Sequence, residues 1–443
     1  MCNVNPSLFL ALLFSVQLSH ATPLDLKLPE NSTHSAKQSD VLTIQAALDR
    51  VQLSNPSIAE MMARAEAMSA IPSQVSSLPD PILNLNMLNL PVDSLNINQE
   101  AMTQLQFGIS QQIPYPGKLA LKEKIASFQV DAANSTVDEL RLHLNRDVKT
   151  LWWRLFYLER SLEVIEINKT LLRQFISIAQ TKYKVGQGLQ QDVLLAQLEL
   201  SKLIDRSIQL DGKKKQESAR LNALLNQATD KVINLPELNN INVELSSLKS
   251  ASILFDLAKT NRPALVEQQL RIDAANARKE LAERDLLPDF NIGAAYGFRQ
   301  GDMPSGDSRS DLLSLKIGVT IPLFAESKQK MAISQRHSEV KQQQYALQDK
   351  WLSIQADMTS IIADYERAIQ QVSLFKTGIV PQAQQTVASM LAGYQVNKVG
   401  FLNLIQAQIT LYNYQTNLWQ TISEAKSAQA RLIATVGEEN IYE

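Results

Sequence analysis

The chain is 443 residues long and nearly charge-balanced, with 43 Lys and Arg against 45 Asp and Glu for a formal net charge of −2. That balance lacks the basic excess of a nucleic-acid binder, so no nucleic-acid partner is expected. After the N-terminus no apolar run approaches the ~18 residues a membrane-spanning helix needs, and Cys2, the only cysteine, excludes an intrachain disulfide framework.

Leu8 to Val16 is an apolar segment of signal-peptide length, and Ser19-His20-Ala21 follows as a small-x-small cleavage pattern. Residues 1–21 therefore read as a secretory signal peptide. No Lys or Arg precedes Leu8, and a buried N-terminal helix is the other reading. Cys2 lies upstream of the apolar segment, so an acylated cysteine on the mature chain is not expected. Residues 22–40 are polar and read as a flexible N-terminal lead.

Residues 41–235 form a first structural repeat. A helix is expected over Val41–Ser69, a strand pair within 81–114 and a long helix pair over 118–228. Leu83, Leu85 and Met87 alternate with polar or unlike neighbours, as do Leu105, Phe107, Ile109 and Ile113. Between Lys118 and Val185 there is neither Gly nor Pro, room for one helix of roughly 100 Å at 1.5 Å per residue. Val137, Leu140, Leu144, Val148, Leu151, Leu155, Leu158, Leu162 and Ile165 recur at three- and four-residue steps and make a coiled-coil seam. Gly186 and Gly188 break it, and Val193, Ala196, Leu200, Leu203 and Leu210 resume it on a returning helix.

Residues 236–252, rich in Asn, Ser and Leu, read as a linker. Residues 253–443 then repeat the order: a helix over Ile253–Asp285, a strand pair within 289–323 and a long helix pair over 325–436. Phe290 to Phe298 and Leu313 to Leu323 alternate as the first pair does. The two halves match at an offset of about 207 to 211: Asn55-Pro56 with Arg262-Pro263, Pro79-Asp80 with Pro288-Asp289, Ile113-Pro114 with Ile321-Pro322, Tyr157-Leu158-Glu159-Arg160 with Tyr365-Glu366-Arg367, and Tyr183 and Asp192 with Tyr394 and Asn403. Four segments of about ten residues, each with one apolar face, have the length of membrane-spanning strands. Four cannot close a useful barrel, so several chains are expected to contribute. A four-stranded soluble sheet is the other reading.

Together these features resemble the TolC family of outer-membrane efflux proteins. The specific pieces are Tyr183-Lys-Val-Gly-Gln-Gly with Asp192-Val-Leu-Leu-Ala-Gln, its copy from Tyr394 to Gln408, Asn261-Arg262-Pro263-Ala264-Leu265, and Val319-Thr-Ile-Pro-Leu-Phe324. Pro79-Asp-Pro-Ile, Asn89-Leu-Pro-Val and Gln111-Gln-Ile-Pro-Tyr-Pro-Gly-Lys118 are similar to the subgroup serving cobalt–zinc–cadmium and copper–silver efflux. The resemblance implies a mainly helical fold with long antiparallel coiled-coil helices. It implies a homotrimer whose chains each give four strands to a twelve-stranded outer-membrane barrel and helices to a periplasmic tunnel. It also implies a periplasmic adaptor and an inner-membrane RND pump as partners, and export of heavy-metal cations or small toxic compounds. A type I secretion duct is the alternative within the family. A periplasmic coiled-coil adaptor or scaffold without a pore is the alternative outside it.

No catalytic residues are expected: no phosphate loop, G-x-S-x-G or H-E-x-x-H occurs. No cofactor or metal site is expected either, because the four histidines, His20, His34, His143 and His337, are scattered. The candidate functional residues flank the two helix turns at the periplasmic tip: Tyr183, Gly186, Gly188, Asp192, Tyr394, Asn403 and Gln406. The glycines are expected to reverse the chain through positive φ. Asp192 is expected to hold the tip closed, to cap its helix, or both. Asn403 and Gln406 stand where better-known members carry acids, so an uncharged constriction is expected. Pro114, Gly117 and Pro322 mark the strand–helix junctions. Tyr115, Phe298 and Phe324 are expected in aromatic girdles, and Trp152 and Trp153 in packing.

Overall fold

The computed structural model describes residues 41–303 and 305–442. The expected signal peptide (1–21), the lead (22–40), Cys2, His20 and His34 lie outside the described residues.

The helix expected over Val41–Ser69 is broken. Thr43 caps α1 (Ile44–Ser54) by accepting the Ala46 N–H at 3.1 Å. Asn55 ends α1 and caps α2 (Pro56–Ser69), accepting the Ser57 N–H at 2.9 Å. A residue before proline is pushed out of the helical region, and Asn55 takes φ −72°, ψ 122°. Pro56 then opens α2 at a position where its missing N–H costs nothing. A short α3 (Ile71–Ser76) follows. The same break separates α6 (Ala251–Asn261) from α7 (Pro263–Arg284), with Arg262 at φ −74°, ψ 113°.

Four strands, β1 (Ile82–Leu88), β2 (Gln104–Ile113), β3 (Phe290–Phe298) and β4 (Leu312–Val319), form one antiparallel sheet in the order β1-β2-β3-β4. Register aligns like with like. Leu85, Phe107, Tyr296 and Leu313 lie in one row across the sheet, and Leu83, Ile109, Ala294 and Leu315 in another. On the opposite face a row runs Asn84, Gly108, Ala295, Ser314. The apolar face is uncovered, with Leu315 78 % exposed. Among the described residues β1 and β4 each have one unpaired edge.

From the sheet run the long helices α4 (Lys118–Lys184), α5 (Gln190–Leu224), α8 (Gln329–Leu374), α9 (Val380–Gln395) and α10 (Phe401–Val436). α4 is unbroken over 67 residues. A π turn at Phe375–Ile379 joins α8 to α9. Pro381 follows it; inside a regular helix that ring would clash with the carbonyl four residues back, at Thr377, and the wider turn relieves the clash.

Two cores repeat. Ala47, Val51 and Ile58 pack with Leu144, Val148, Leu155 and Leu221. Leu254, Ala258 and Leu265 pack with Ile354, Met358, Tyr365 and Leu432. The matching positions differ by 207 in the first helices, 210 in α4 against α8 and 211 in α5 against α10. By this packing Tyr365 holds the place of Leu155, and not of Tyr157 as the sequence match has it, because the core positions of α4 and α8 keep an offset of 210. Between the cores, Trp152, Trp153 and Phe156 pack with Trp419. The Trp152 indole N–H donates to Leu42 O at 2.9 Å, and Ser423 donates to Trp153 O at 2.8 Å. Among the described residues no helix is long and apolar enough to cross a membrane.

Candidate functional site

The two helix turns lie at the end of α4 remote from the sheet and are built alike. At the first, Gly186 N–H donates to Tyr183 O at 3.1 Å and Gln187 N–H to Lys182 O at 2.8 Å. At the second, Asn397 N–H donates to Tyr394 O at 3.2 Å and Lys398 N–H to Gly393 O at 2.9 Å. Each set closes a helix end through one left-handed residue, Gly186 at φ +72° and Asn397 at φ +61°. Gly188 does not have the positive φ expected of it. It is needed for space, since a Cβ there would lie 2.9 Å from Lys182 Cβ and 3.2 Å from Tyr183 N.

Between the turns a compact cluster forms. Tyr394 is buried against Phe401, with ring centroids 5.0 Å apart. Its hydroxyl donates to Asp192 Oδ2 at 3.4 Å. Burial, and then the neighbouring Asp192 carboxylate, push the phenol up to about 12. Lys182 is only 8 % exposed. Its ammonium donates to Tyr394 O and Asn397 Oδ1 and lies 4.4 Å from the Tyr394 ring centroid. A cation at the carbonyl end of α9 is favoured by the helix dipole, and the ring face adds to that. Asp192 lies in the first turn of α5, whose N-cap, Leu189, has no side-chain bond. Asp192 therefore reaches across to Tyr394 and does not cap.

The fold thus brings Asp192 and Tyr394 together, while Tyr183, Asn403 and Gln406 remain exposed outside the cluster. The sequence reading missed Lys182 and Asn397. The 211-residue offset that aligned Tyr183 with Tyr394 also aligns Gly186 with Asn397, so that position was open to discovery.

A second polar cluster ties strands to helices. Gly117, at φ +91°, precedes α4, and the Lys118 ammonium lies 2.9 Å from Asp289 Oδ1 and 3.2 Å from Asp285 Oδ1. Asp289 also accepts the Tyr115 N–H at 2.7 Å. Burial would push the Asp289 carboxyl up, but the Tyr115 amide and Lys118 outweigh it and hold the group below its ordinary range. Pro114 ends β2 directly before this knot. Pro322 lies in the turn after β4, where Leu323 N–H donates to Ile321 O at 2.9 Å. Among the described residues no group of three His, Cys, Asp or Glu is placed to hold a metal ion.

Comparison with known proteins adds a family. Residues 47–227 and 254–438 match the family described as outer membrane efflux protein. The alkaline protease secretion protein AprF of Pseudomonas aeruginosa is 21 % identical over 277 residues, covering 61 % of this chain and 56 % of AprF. The chain thus spans about half the length of that curated relative. Among solved structures, VceC from Vibrio cholerae is 16 % identical at a TM-score of 0.74, covering 89 % of this chain and 96 % of VceC. CusC is 15 % identical at 0.73, covering 92 % and 96 %. These structural likenesses show the fold.

Proposed function

The chain belongs to the outer membrane efflux protein family, and from that premise we propose that it is the passive exit duct of a tripartite efflux assembly, working as a homotrimer. The sheet carries this reading. Its apolar face is continuous and exposed, yet among the described residues both edges are unpaired, and lipid tolerates no unpaired edge. Three copies edge to edge close a twelve-stranded barrel and satisfy every backbone group.

The helices support the same assembly. Over residues 125–150 of α4 only three residues are exposed, against sixteen over the matching 335–360 of α8. α7 packs on both helices, and α2 covers the other flank of α4. Among the described residues the other flank of α8 has no such cover; the α2 of a second copy fills it.

The duct performs no chemistry, so its function lies in its gate and its contacts. Tyr394 and Asp192 join the two halves at the tip within one chain. Tyr183 and Asn403, their counterparts, meet between copies and complete a ring that holds the aperture closed. Exposed Val185, Leu189, Val396 and Leu402 beside the turns offer an apolar rim to a periplasmic adaptor, which links the duct to an inner-membrane RND pump. The cargo is heavy-metal cations or small toxic compounds.

Heat-modified gel migration of the outer-membrane fraction, followed by cross-linking, tests the assembly. A trimer band is expected; a soluble periplasmic monomer would refute the duct. Replacing Tyr183 or Asp192 is expected to raise resting conductance more than replacing a mid-helix surface residue. The likeness to AprF favours a second reading, a protein-secretion duct. A deletion strain separates the two: sensitivity to metals or toxic compounds with normal exoproteins supports efflux, and the reverse supports secretion.

A further inference from the structure

The four strands carry one charged side chain. Lys316 lies midway along β4, on the face opposite the apolar rows. Its cross-strand partner is Gly293, and the next residue in that row is Ser110. Its neighbours along β4 on the same face are Ser314 and Gly318. No side chain therefore covers the ammonium, and Lys316 is exposed. It has no hydrogen-bond or ion-pair partner among the described residues.

We propose that Lys316 sets the charge preference of the barrel lumen. This rests on the trimeric duct proposed above: if the apolar rows face lipid, the Asn-, Ser- and Gly-bearing face lines the lumen. Three copies then place three ammonium groups at one level of a wall whose strands carry no other charge. Rings of Lys or Arg favour anions in pores, and low-dielectric walls focus their field. The small residues around Lys316 leave the charge facing the passage, with no neighbour to neutralise it. An anionic or uncharged compound passes this level more readily than a bare divalent cation. The ring thus divides the two cargo classes left open above in favour of small compounds.

A lysine on an edge strand has a simpler use, which is to discourage wrong strand pairing. Thiol labelling separates the two. S314C places a thiol on the same face, about 7 Å away at ~3.3 Å per residue. Intact cells expressing S314C are treated from outside with an anionic and a cationic methanethiosulfonate of similar size, so a closed periplasmic tip does not affect the result. The ratio of anionic to cationic labelling is expected to fall about threefold at ~0.1 M salt when K316Q is added, and further at lower salt. K316R should keep the original ratio. Equal ratios in S314C and S314C/K316Q overturn the proposal and leave the edge-guard role. A thiol unreactive to both reagents shows that this face lines no lumen, which overturns the barrel reading as well; a trimer band on the gel then tells whether assembly or only orientation is wrong.

Discussion

Asn397 occupies, at φ +61°, the same left-handed step that Gly186 occupies at φ +72°, 211 residues earlier. Asn pays a steric cost there that Gly does not, of about 1 kcal/mol, and it is repaired by a bond no glycine can make, from Lys182 to its side-chain oxygen. Asn397→Gly should therefore change stability little, by within ~1 kcal/mol. Asn397→Val loses both conformation and acceptor and should cost about 2–4 kcal/mol. Thermal unfolding of the purified protein checks the pair; equal effects would show that only the lost acceptor matters.

Tyr394 predicts an alkaline limit for the tip. Its folded-state pKa, raised to about 12, lies above the ~10 of an unfolded tyrosine. The fold favours the neutral phenol, so this contribution is complete below about pH 10 and is lost as pH rises through the folded value. Tyr394→Phe keeps the packing and cannot ionise. The parent should exceed the variant at neutral pH by the hydroxyl bond to Asp192 and lose that advantage as pH rises above the unfolded tyrosine pKa. Parallel curves would remove Tyr394 from the cause.

At the other end of α4, Asp289→Asn should loosen the join of strand to helix. Lys118 is only 5 % exposed, and losing its nearer carboxylate leaves Asp285 and the Leu287 carbonyl as its partners. A cost of about 1–3 kcal/mol follows, read as a lower dissociation temperature on heat-modified gels. The Asp289 pKa is lowered, so its contribution is present above the ordinary carboxylate range and is lost as pH falls through the lowered value. The parent should lose stability there and the Asn variant should not.

Trp152 separates packing from hydrogen bonding. Trp152→Phe removes the donor to Leu42 O and should cost about 1 kcal/mol, with a further loss from reduced volume. Trp152→Ala should cost about 3–5 kcal/mol. Limited proteolysis near Leu42 provides the local readout: faster cleavage is expected in both variants, and equal rates would show that the indole does not anchor that segment.

Much of this fold was legible because its apolar residues keep strict periods. The seam from Val137 to Ile165 falls inside one helix, and the alternation of Leu313, Leu315 and Ile317 falls in one strand. The break at Asn55-Pro56 was overlooked because the helical period continues through it, although Pro56 itself was the signal. Part of the tip was legible in the repeat, which paired Tyr183 with Tyr394 and Asp192 with Asn403. It did not reveal that Tyr394 is buried while Tyr183 is 48 % exposed. That difference arises from packing across the halves, which no local pattern encodes. Lys182 was missed for the same reason: one of its partners is a backbone carbonyl, and the other lies 215 residues away.

The π turn at Phe375–Ile379 explains a change in spacing between the halves. Before it, Tyr365 matches Leu155 at 210; after it, Tyr394 matches Tyr183 at 211. One extra residue in a regular helix swings everything beyond it by about 100° and advances it ~1.5 Å. Val387 and Tyr394 would then leave the cluster they share with Phe175 and Ala179. The wider turn absorbs that residue locally. Two arms of unequal length thus end at the same height with the same faces turned together, and the rim they build can stay level.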